Sequence, residues 1–289
     1  MSNRLNRIQK ISSLFVTNVC SLMVMLLCVL LIITFTLFNP NYMKHIVEKS
    51  NYPTHLTHEI NQQIENLGLA SNIPSGVLDH TVGKKVVEKN ILNYFRTIYT
   101  EKEFTFNGTK ELDNRVRTKV TEYALKTNSE ISEMNLTNLE KNAYKVVKNY
   151  IELPYLATYG KKINGFQSVV LMLIGGTGLA LIFLFGILLS LLKGYLHRLF
   201  RNISYLFIST GSFLIMCSGI FIYFKLFERI AVMSKALYEF IYQYLVSFNF
   251  YFLYTGILCI IIGIGFALLS EKKRHHLIRK KSSEMKERF

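Results

Sequence analysis

Two histidines three positions apart come nearest to a metal site in this sequence. His55 and His58 would lie on one face of a helix, and Glu59 follows directly. Two imidazoles on one helical turn can share a zinc ion, but zinc in proteins takes three or four such ligands. The pattern matches neither of the histidine–glutamate motifs of zinc proteases. We expect no metal ion and no cofactor. His55 and His58 remain the candidate metal ligands, and ordinary surface histidines are the favoured interpretation.

A second group that could do chemistry is Lys225, Glu228 and Arg229, at the end of a long apolar segment. Ionisable groups inside a membrane usually mark transport or catalysis. Long basic side chains at the end of an apolar segment instead extend to the lipid headgroups, and we favour this interpretation for Lys225 and Arg229. The same membrane-interface role is predicted for Lys193, Arg198 and Arg201.

Glycine-rich stretches in this sequence predict helix packing rather than catalysis. The run 175–178, Gly-Gly-Thr-Gly, resembles a phosphate-binding loop only superficially, because it lies within an apolar segment. Small residues spaced four apart in such segments let two helices approach closely. No nucleophile elbow or dinucleotide fingerprint is present, so we predict no catalytic residue. The predicted packing residues are Gly176, Ala180, Gly211, Gly219, Gly263 and Ala267.

Four apolar segments must position these residues, and each is long enough to cross a membrane. A helix rises about 1.5 Å per residue, so a hydrocarbon core about 30 Å thick needs roughly 20 apolar residues. The first segment has no charged residue. A cleaved signal peptide is the alternative for it, but its apolar run is about twice the usual length and no Ala-x-Ala-like site follows. The predicted spans are 14–38, 168–192, 203–224 and 249–269.

The charge of the chain is concentrated in short segments beside the spans. Lys and Arg number 34 against 19 Asp and Glu. The tail 1–13 and the turn 193–202 each hold three basic residues and no acidic one, and the tail 270–289 holds eight basic and three acidic. The segment 39–167 is nearly balanced, with 17 basic and 14 acidic residues.

Basic segments of membrane proteins stay in the cytoplasm. We therefore predict a multi-pass plasma-membrane protein with both ends and the turn in the cytoplasm, and with 39–167 outside. Three spans, with 203–224 lying flat, would leave the basic tail outside and are less favoured. No nucleic-acid motif accompanies the charge, so the predicted partner is the lipid bilayer and not nucleic acid.

The segment 39–167 is predicted to be a small all-α domain. Its apolar residues recur three and four apart, as on the buried face of a helix. All four cysteines lie in the apolar segments, so this domain has no disulfide framework. The part between Pro40 and Pro53 is predicted to be a short connector. The predicted helices are 54–70, 82–99, 110–126 and 133–153.

The segment 225–248 between the last two spans is predicted to be an external amphipathic helix. Such a helix would lie at the membrane interface or pack under the external domain. Its apolar face would consist of Leu226, Ile230, Leu237, Phe240, Ile241 and Tyr244. The predicted fold class of the whole chain is therefore all-α, with four transmembrane helices and a helical domain between the first two.

The order of these parts resembles that of permease-like subunits of the FtsX type, which have one span, an external domain and then three spans. The resemblance covers the layout of the whole chain, and the turn 193–202 is shorter than the element with which such subunits engage an ATPase. The chain also looks like uncharacterised four-span membrane proteins of Gram-positive bacteria, which implies no activity.

Our leading hypothesis is a non-enzymatic accessory or assembly factor. Its external helical domain would contact a membrane or envelope protein, and the chain could form an oligomer. A subunit of a transport or export complex is the alternative. A membrane-embedded enzyme acting on lipid or peptide is the third hypothesis.

Overall fold

The protein is all-helical, as predicted from the sequence. The computed structural model describes residues 2–100, 102–128, 130–192, 196–232 and 234–286, and no β-strand is found among them. A 3₁₀-helix at Leu226–Arg229 accompanies the α-helices. The α-helices are α1 Ser2–Thr36, α2 Pro40–Lys49, α3 Tyr52–Ala70, α4 Lys84–Ile98, α5 Thr109–Thr127, α6 Glu133–Ile151, α7 Pro154–Gly165, α8 Gln167–Leu191, α9 Leu196–Tyr223 and α10 Lys235–Lys286.

Four stretches of helix in the described residues are long and apolar enough to cross a membrane, and they lie in α1, α8, α9 and α10. This is compatible with a multi-pass membrane protein. The chain divides into two compact units. We call one the apolar unit (Met1–Phe35, Ser168–Arg229 and Leu245–Phe289) and the other the polar unit (Thr36–Gln167 and Ile230–Tyr244).

The polar unit is held together by one apolar face from each of its helices. In α3 the buried residues Leu56, Ile60 and Ile64 are four apart, which places them on one side of the helix. α5 repeats this pattern with Leu112, Val116 and Val120. Burying each such side chain stabilises the fold by about 1.5–3 kcal/mol. Packing alone is therefore sufficient to hold these helices, without a disulfide bond.

Two buried asparagines attach loops of the polar unit to its helices. The side chain of Asn61 accepts a hydrogen bond from the backbone N–H of Val82 at 2.8 Å and donates one to its carbonyl at 3.0 Å. Asn90 makes the same pair of bonds to the backbone of Asn107, at 2.8 and 2.7 Å. A buried amide is costly unless it is paired, so each asparagine fixes the position of its loop.

The predicted connector between Pro40 and Pro53 is wrong, because the structure has α2 there. α7 was likewise not predicted as a separate helix. Both helices begin with proline, Pro40 and Pro154. Proline lacks an N–H and ends a helix internally, but the first turn of a helix leaves its N–H groups unbonded, so proline is accepted there. The polar unit consequently has six helices before α8, instead of four.

The connector 225–248 also differs from the prediction. No single amphipathic helix covers it, because the chain forms a 3₁₀-helix at Leu226–Arg229 and α10 begins only at Lys235. α10 then continues without a break through the apolar stretch 249–269. Of the two positions considered for the connector, the structure supports packing on the polar unit, where Ala236 and Phe240 are buried.

In the apolar unit, α9 and α10 approach each other closely at their glycines. A methyl group on Gly211 would lie 2.6 Å from the carbonyl oxygen of Gly256, and one on Gly263 would lie 2.6 Å from a side-chain carbon of Ile208. Further along the contact, Ser218 and Asn249 exchange hydrogen bonds at 3.3 Å. These two helices touch at the backbone because glycine leaves room for it.

Candidate functional site

The histidine pair predicted as a metal candidate lies on α3, where one histidine has an ion-pair partner. His55 Nε2 lies 3.0 Å from Glu239 Oε2 on α10, while His58 is exposed. Glu59 accepts hydrogen bonds from Ser234 Oγ at 2.7 Å and from the backbone N–H of Ala236 at 2.9 Å. Carboxylates are favourable at a helix N-terminus because the first N–H groups are free there. These residues therefore attach the start of α10 to α3.

No group of three or more His, Cys, Asp or Glu side chains that could hold a metal ion occurs in the described part of the chain. His55 and His58 consequently have no third ligand near them there. The chemistry that these contacts support is helix capping by Glu59 and a polar contact between His55 and Glu239.

The predicted interface residues lie at the two ends of α9. Lys225 and Arg229 are exposed after its C-terminus, and Lys225 Nζ lies 3.5 Å from Glu228 Oε2. Arg198 and Arg201 are in the first two turns of α9. Lys193 lies outside the described residues. The interface role of all five stays a prediction.

The predicted packing glycines differ in their surroundings. Gly211 and Gly263 lie in the α9–α10 contact described above, together with Gly256, which was not predicted. Gly176 and Gly219 have open space where a methyl group would be placed. Packing at these two positions would need a partner molecule or another helix, and it stays a prediction. Ala180 and Ala267 are half-buried.

A cleft of about 600 Å³ lies at the end of the apolar unit where α9 begins. All four long helices contribute to its lining, since Ser13 and Leu14 come from α1, Leu191 from α8 and Arg274 from α10. We call it the basic cleft. Among the described residues its lining is Ser13, Leu14, Leu191, Leu192, His197, Arg198, Arg201, Asn202, Tyr205 and Arg274.

The basic cleft forms because α9 carries two arginines on one side and α10 adds a third. Arg198 and Arg201 are three residues apart and so lie on one side of the first turns of α9. Ser270 Oγ on α10 donates a hydrogen bond to the carbonyl of His197 at 2.6 Å. This bond holds α10 beside the start of α9 and brings Arg274, 73 residues further along the chain than Arg201, into the same cleft.

The charged side chains that line the described part of the cleft are basic. Three guanidinium groups line it, and none of the described lining residues is acidic. Arginine presents a planar set of N–H donors that matches phosphate and carboxylate oxygens. The neighbouring Lys273 is used elsewhere, because its Nζ lies 4.7 Å from the centre of the Phe200 ring. Lys272 is exposed on α10 and is not part of the lining.

The polar unit has a different surface feature at the turn between α5 and α6. Leu125 and Met134 are 75% and 76% exposed, and both lie within one helical turn of that loop. Leu69 is the remaining large exposed apolar residue in the described part of 39–153. We call Leu125 and Met134 the α5–α6 tip.

Ionic contacts on α5 and α6 stabilise these helices below the tip. Arg117 Nε lies 2.9 Å from Glu140 Oε1, and Arg117 Nη1 lies 3.1 Å from Glu133 Oε1. Partial burial, together with the nearby charge of Glu140, raises the pKa of the Asp113 carboxyl, which Arg117 only partly offsets. The ion pairs thus join the two helices whose ends form the tip.

α7 contacts α4 through a tyrosine and a glycine. Tyr94 Oη donates a hydrogen bond to the carbonyl of Leu153 and accepts one from the N–H of Ala157 at 3.1 Å. Burial raises the pKa of Tyr94 to about 12, so the phenol stays protonated and can donate. A methyl group on Gly160 would lie 2.5 Å from Ile98 Cγ2.

The site geometry can be set beside known proteins. No family model, curated protein or solved structure matches this chain.

Sequence reasoning assigned Arg198 and Arg201 to the membrane interface but did not place Arg274 with them. It also did not single out Leu125 or Met134. The one available signal for the tip was that these apolar residues do not follow the three-and-four spacing of the buried positions in α5 and α6.

Proposed function

We propose that the chain is a non-enzymatic multi-pass protein of the plasma membrane that acts as an accessory or assembly factor. In this proposal the polar unit is an extracytoplasmic domain, and the α5–α6 tip is its contact with a membrane or envelope protein. The observation that carries the proposal is the pair of large apolar side chains, Leu125 and Met134, exposed at the end of an otherwise well-packed domain.

Exposed apolar residues at a tip favour a protein contact on energetic grounds. A folded domain gains by burying such side chains, at about 25 cal/mol for each Å² of apolar surface removed from water. Most other apolar residues of the polar unit pack in one core. The remaining exposed ones are Leu69 at the end of α3 and Tyr155, Tyr159, Ile163 and Phe166 in and just after α7. Methionine is flexible and is common at contact surfaces, because its side chain adapts to different neighbours.

The location of the polar unit in this proposal is supported by charge. The basic residues beside the spans favour the cytoplasm for both chain ends, while the segment 39–167 is nearly neutral. Three exposed aromatic residues lie just before α8, two of them in α7 and one between the two helices. Aromatic rings at the end of a membrane span suit the lipid headgroup region. The three residues are Tyr155, Tyr159 and Phe166.

Site-specific photo-crosslinking in living cells tests this function. A photoreactive amino acid at Leu125 or at Met134 should form a covalent adduct with one partner protein. The same amino acid at Lys141, which is exposed on α6, is the matched control and should give little of that adduct. The double variant L125K/M134K should lose most of the co-purifying partner while keeping normal protein levels.

Three outcomes would contradict the proposal. The first is equal adduct formation at the tip and at Lys141. The second is full retention of the partner by the L125K/M134K variant. The third is a purification that returns only the protein itself under several detergent conditions.

A further inference from the structure

The basic cleft combines two kinds of surface that rarely occur together at the end of a membrane helix bundle. The lining includes the basic residues Arg198, Arg201 and Arg274 and the apolar residues Leu14 and Leu191. Leu14 is exposed, and Leu191 ends the apolar helix α8. A ligand that satisfies both kinds of residue must have an anionic group joined to an apolar part.

A mostly buried asparagine adds a neutral hydrogen-bond donor to the cleft. Asn202 is only 7% exposed and is one of the lining residues. Its side-chain amide can donate a hydrogen bond to an oxygen acceptor bound in the cleft.

The volume of the cleft is suited to a headgroup. About 600 Å³ is within the range of small-molecule sites, and it exceeds what a single ion needs. Basic pockets between membrane helices bind the phosphates of anionic lipids, because the charge is neutralised where the headgroup meets the hydrocarbon. The guanidinium groups of Arg201 and Arg274 come from different helices and can hold phosphate oxygens from two directions.

We propose that the basic cleft binds the phosphate group of an anionic phospholipid, with Arg198, Arg201 and Arg274 holding the phosphate and Asn202 donating to it. The acyl chains lie along Leu14 and Leu191. A free phosphate compound shares the anionic chemistry but would leave the apolar residues of the cleft uncovered. The lipid is therefore the favoured source.

Lipid titration of the full-length protein in detergent, followed by native mass spectrometry, tests this proposal. The wild-type protein should bind phosphatidylglycerol at least about tenfold more tightly than zwitterionic phosphatidylcholine, because both lipids carry the phosphate but the arginines repel the quaternary ammonium of choline. The double variant R201Q/R274Q should lose about tenfold or more in affinity for phosphatidylglycerol and less, about threefold at most, for phosphatidylcholine.

The matched control is K272Q/K273Q, which removes the same number of charges from the same end of the protein without changing the cleft lining. It should keep its affinity for phosphatidylglycerol within about twofold of wild type, since charges outside the cleft add only a screened attraction.

Unfolding in detergent verifies that each variant is folded. The single variant R274Q, on an exposed position of α10, replaces the double variant if that one does not fold, and its expected loss is about threefold or more.

Three outcomes would overturn the proposal, the last of them in a competition with a soluble phosphate compound. Equal losses in the cleft variant and the control variant would overturn the proposal, because binding would then be diffuse. Equal wild-type binding of phosphatidylglycerol and phosphatidylcholine would also overturn it. If glycerol 3-phosphate at millimolar concentration displaced all bound phosphatidylglycerol, the site would belong to a soluble phosphate compound and not to a lipid.

Discussion

Phe240 shows how one residue can decide the position of a whole segment. Its ring centre lies 5.0 Å from that of Tyr52 and 5.2 Å from that of Phe95, and it is 4% exposed. Aromatic pairs at such distances contribute about 0.5–1.5 kcal/mol beyond the burial of their area. Phe240 is therefore the main apolar contact by which the start of α10 joins α3 and α4.

We predict that Phe240→Ala destabilises the polar unit by about 3 kcal/mol, because a large buried side chain is lost and a cavity remains. Denaturant unfolding of the full-length protein in detergent measures this change. Tyr155→Ala is the control, since that ring is exposed, and it should change stability by less than about 0.5 kcal/mol. Equal effects of the two substitutions would show that Phe240 is not a core residue.

At the scale of the helices, the α9–α10 contact depends on three glycines. The methyl group of an alanine at Gly263 would approach both a side-chain carbon of Ile208 and the carbonyl oxygen of Ser204, at 2.6 and 3.1 Å. Gly265, two residues further along α10, has open space at the corresponding position. An added methyl group would therefore be crowded at Gly263 and unhindered at Gly265, although both residues lie on α10.

Gly263→Ala is expected to destabilise the apolar unit by about 1–3 kcal/mol, since overpacking forces the two helices apart. Gly265→Ala is the control and should be neutral or slightly stabilising, because alanine favours a helix by up to about 1 kcal/mol relative to glycine. Thermal unfolding in one detergent compares the two variants. A Gly263→Ala protein as stable as Gly265→Ala would mean that the backbones do not touch.

Periodicity explains which helices could be predicted and which could not. α3 to α6 have apolar residues at three-and-four spacing, so their existence follows from the sequence. α2 was missed because the stretch between Pro40 and Pro53 was predicted to be a connector, and α7 was not predicted at all. Both helices begin with a proline, Pro40 and Pro154, which is suited to the first position of a helix. α10 was divided at 249 because its composition changes there, whereas the backbone contains no residue that interrupts a helix.

The basic cleft could be predicted only in part. The local spacing of Arg198 and Arg201 shows that they share one face of a helix. Their proximity to Arg274 depends on the packing of α9 against α10, and no pattern along the chain encodes which residues meet across two helices. The α5–α6 tip has the same limitation, since exposure follows from the packing of the polar unit as a whole.

For the whole molecule, the two units differ in how they bury their apolar side chains. The polar unit has a self-contained core, while the helices of the apolar unit expose large apolar side chains over most of their length. α8 is the clearest case, since Leu188 is its one buried residue. Such a helix is stable only where lipid or a partner covers it.

Cysteine labelling measures the orientation that our proposed function requires. In a variant without the four native cysteines, all of which lie in apolar segments, Ser75→Cys is in an exposed loop of the polar unit and Lys272→Cys is exposed on α10. A membrane-impermeant maleimide added to intact cells should label Ser75→Cys and leave Lys272→Cys unlabelled until the membrane is opened. The reason is that basic segments stay on the cytoplasmic side. Labelling of Lys272→Cys in intact cells, or protection of Ser75→Cys there, would place the α5–α6 tip in the wrong compartment for an envelope partner, and the proposed function would fail with it.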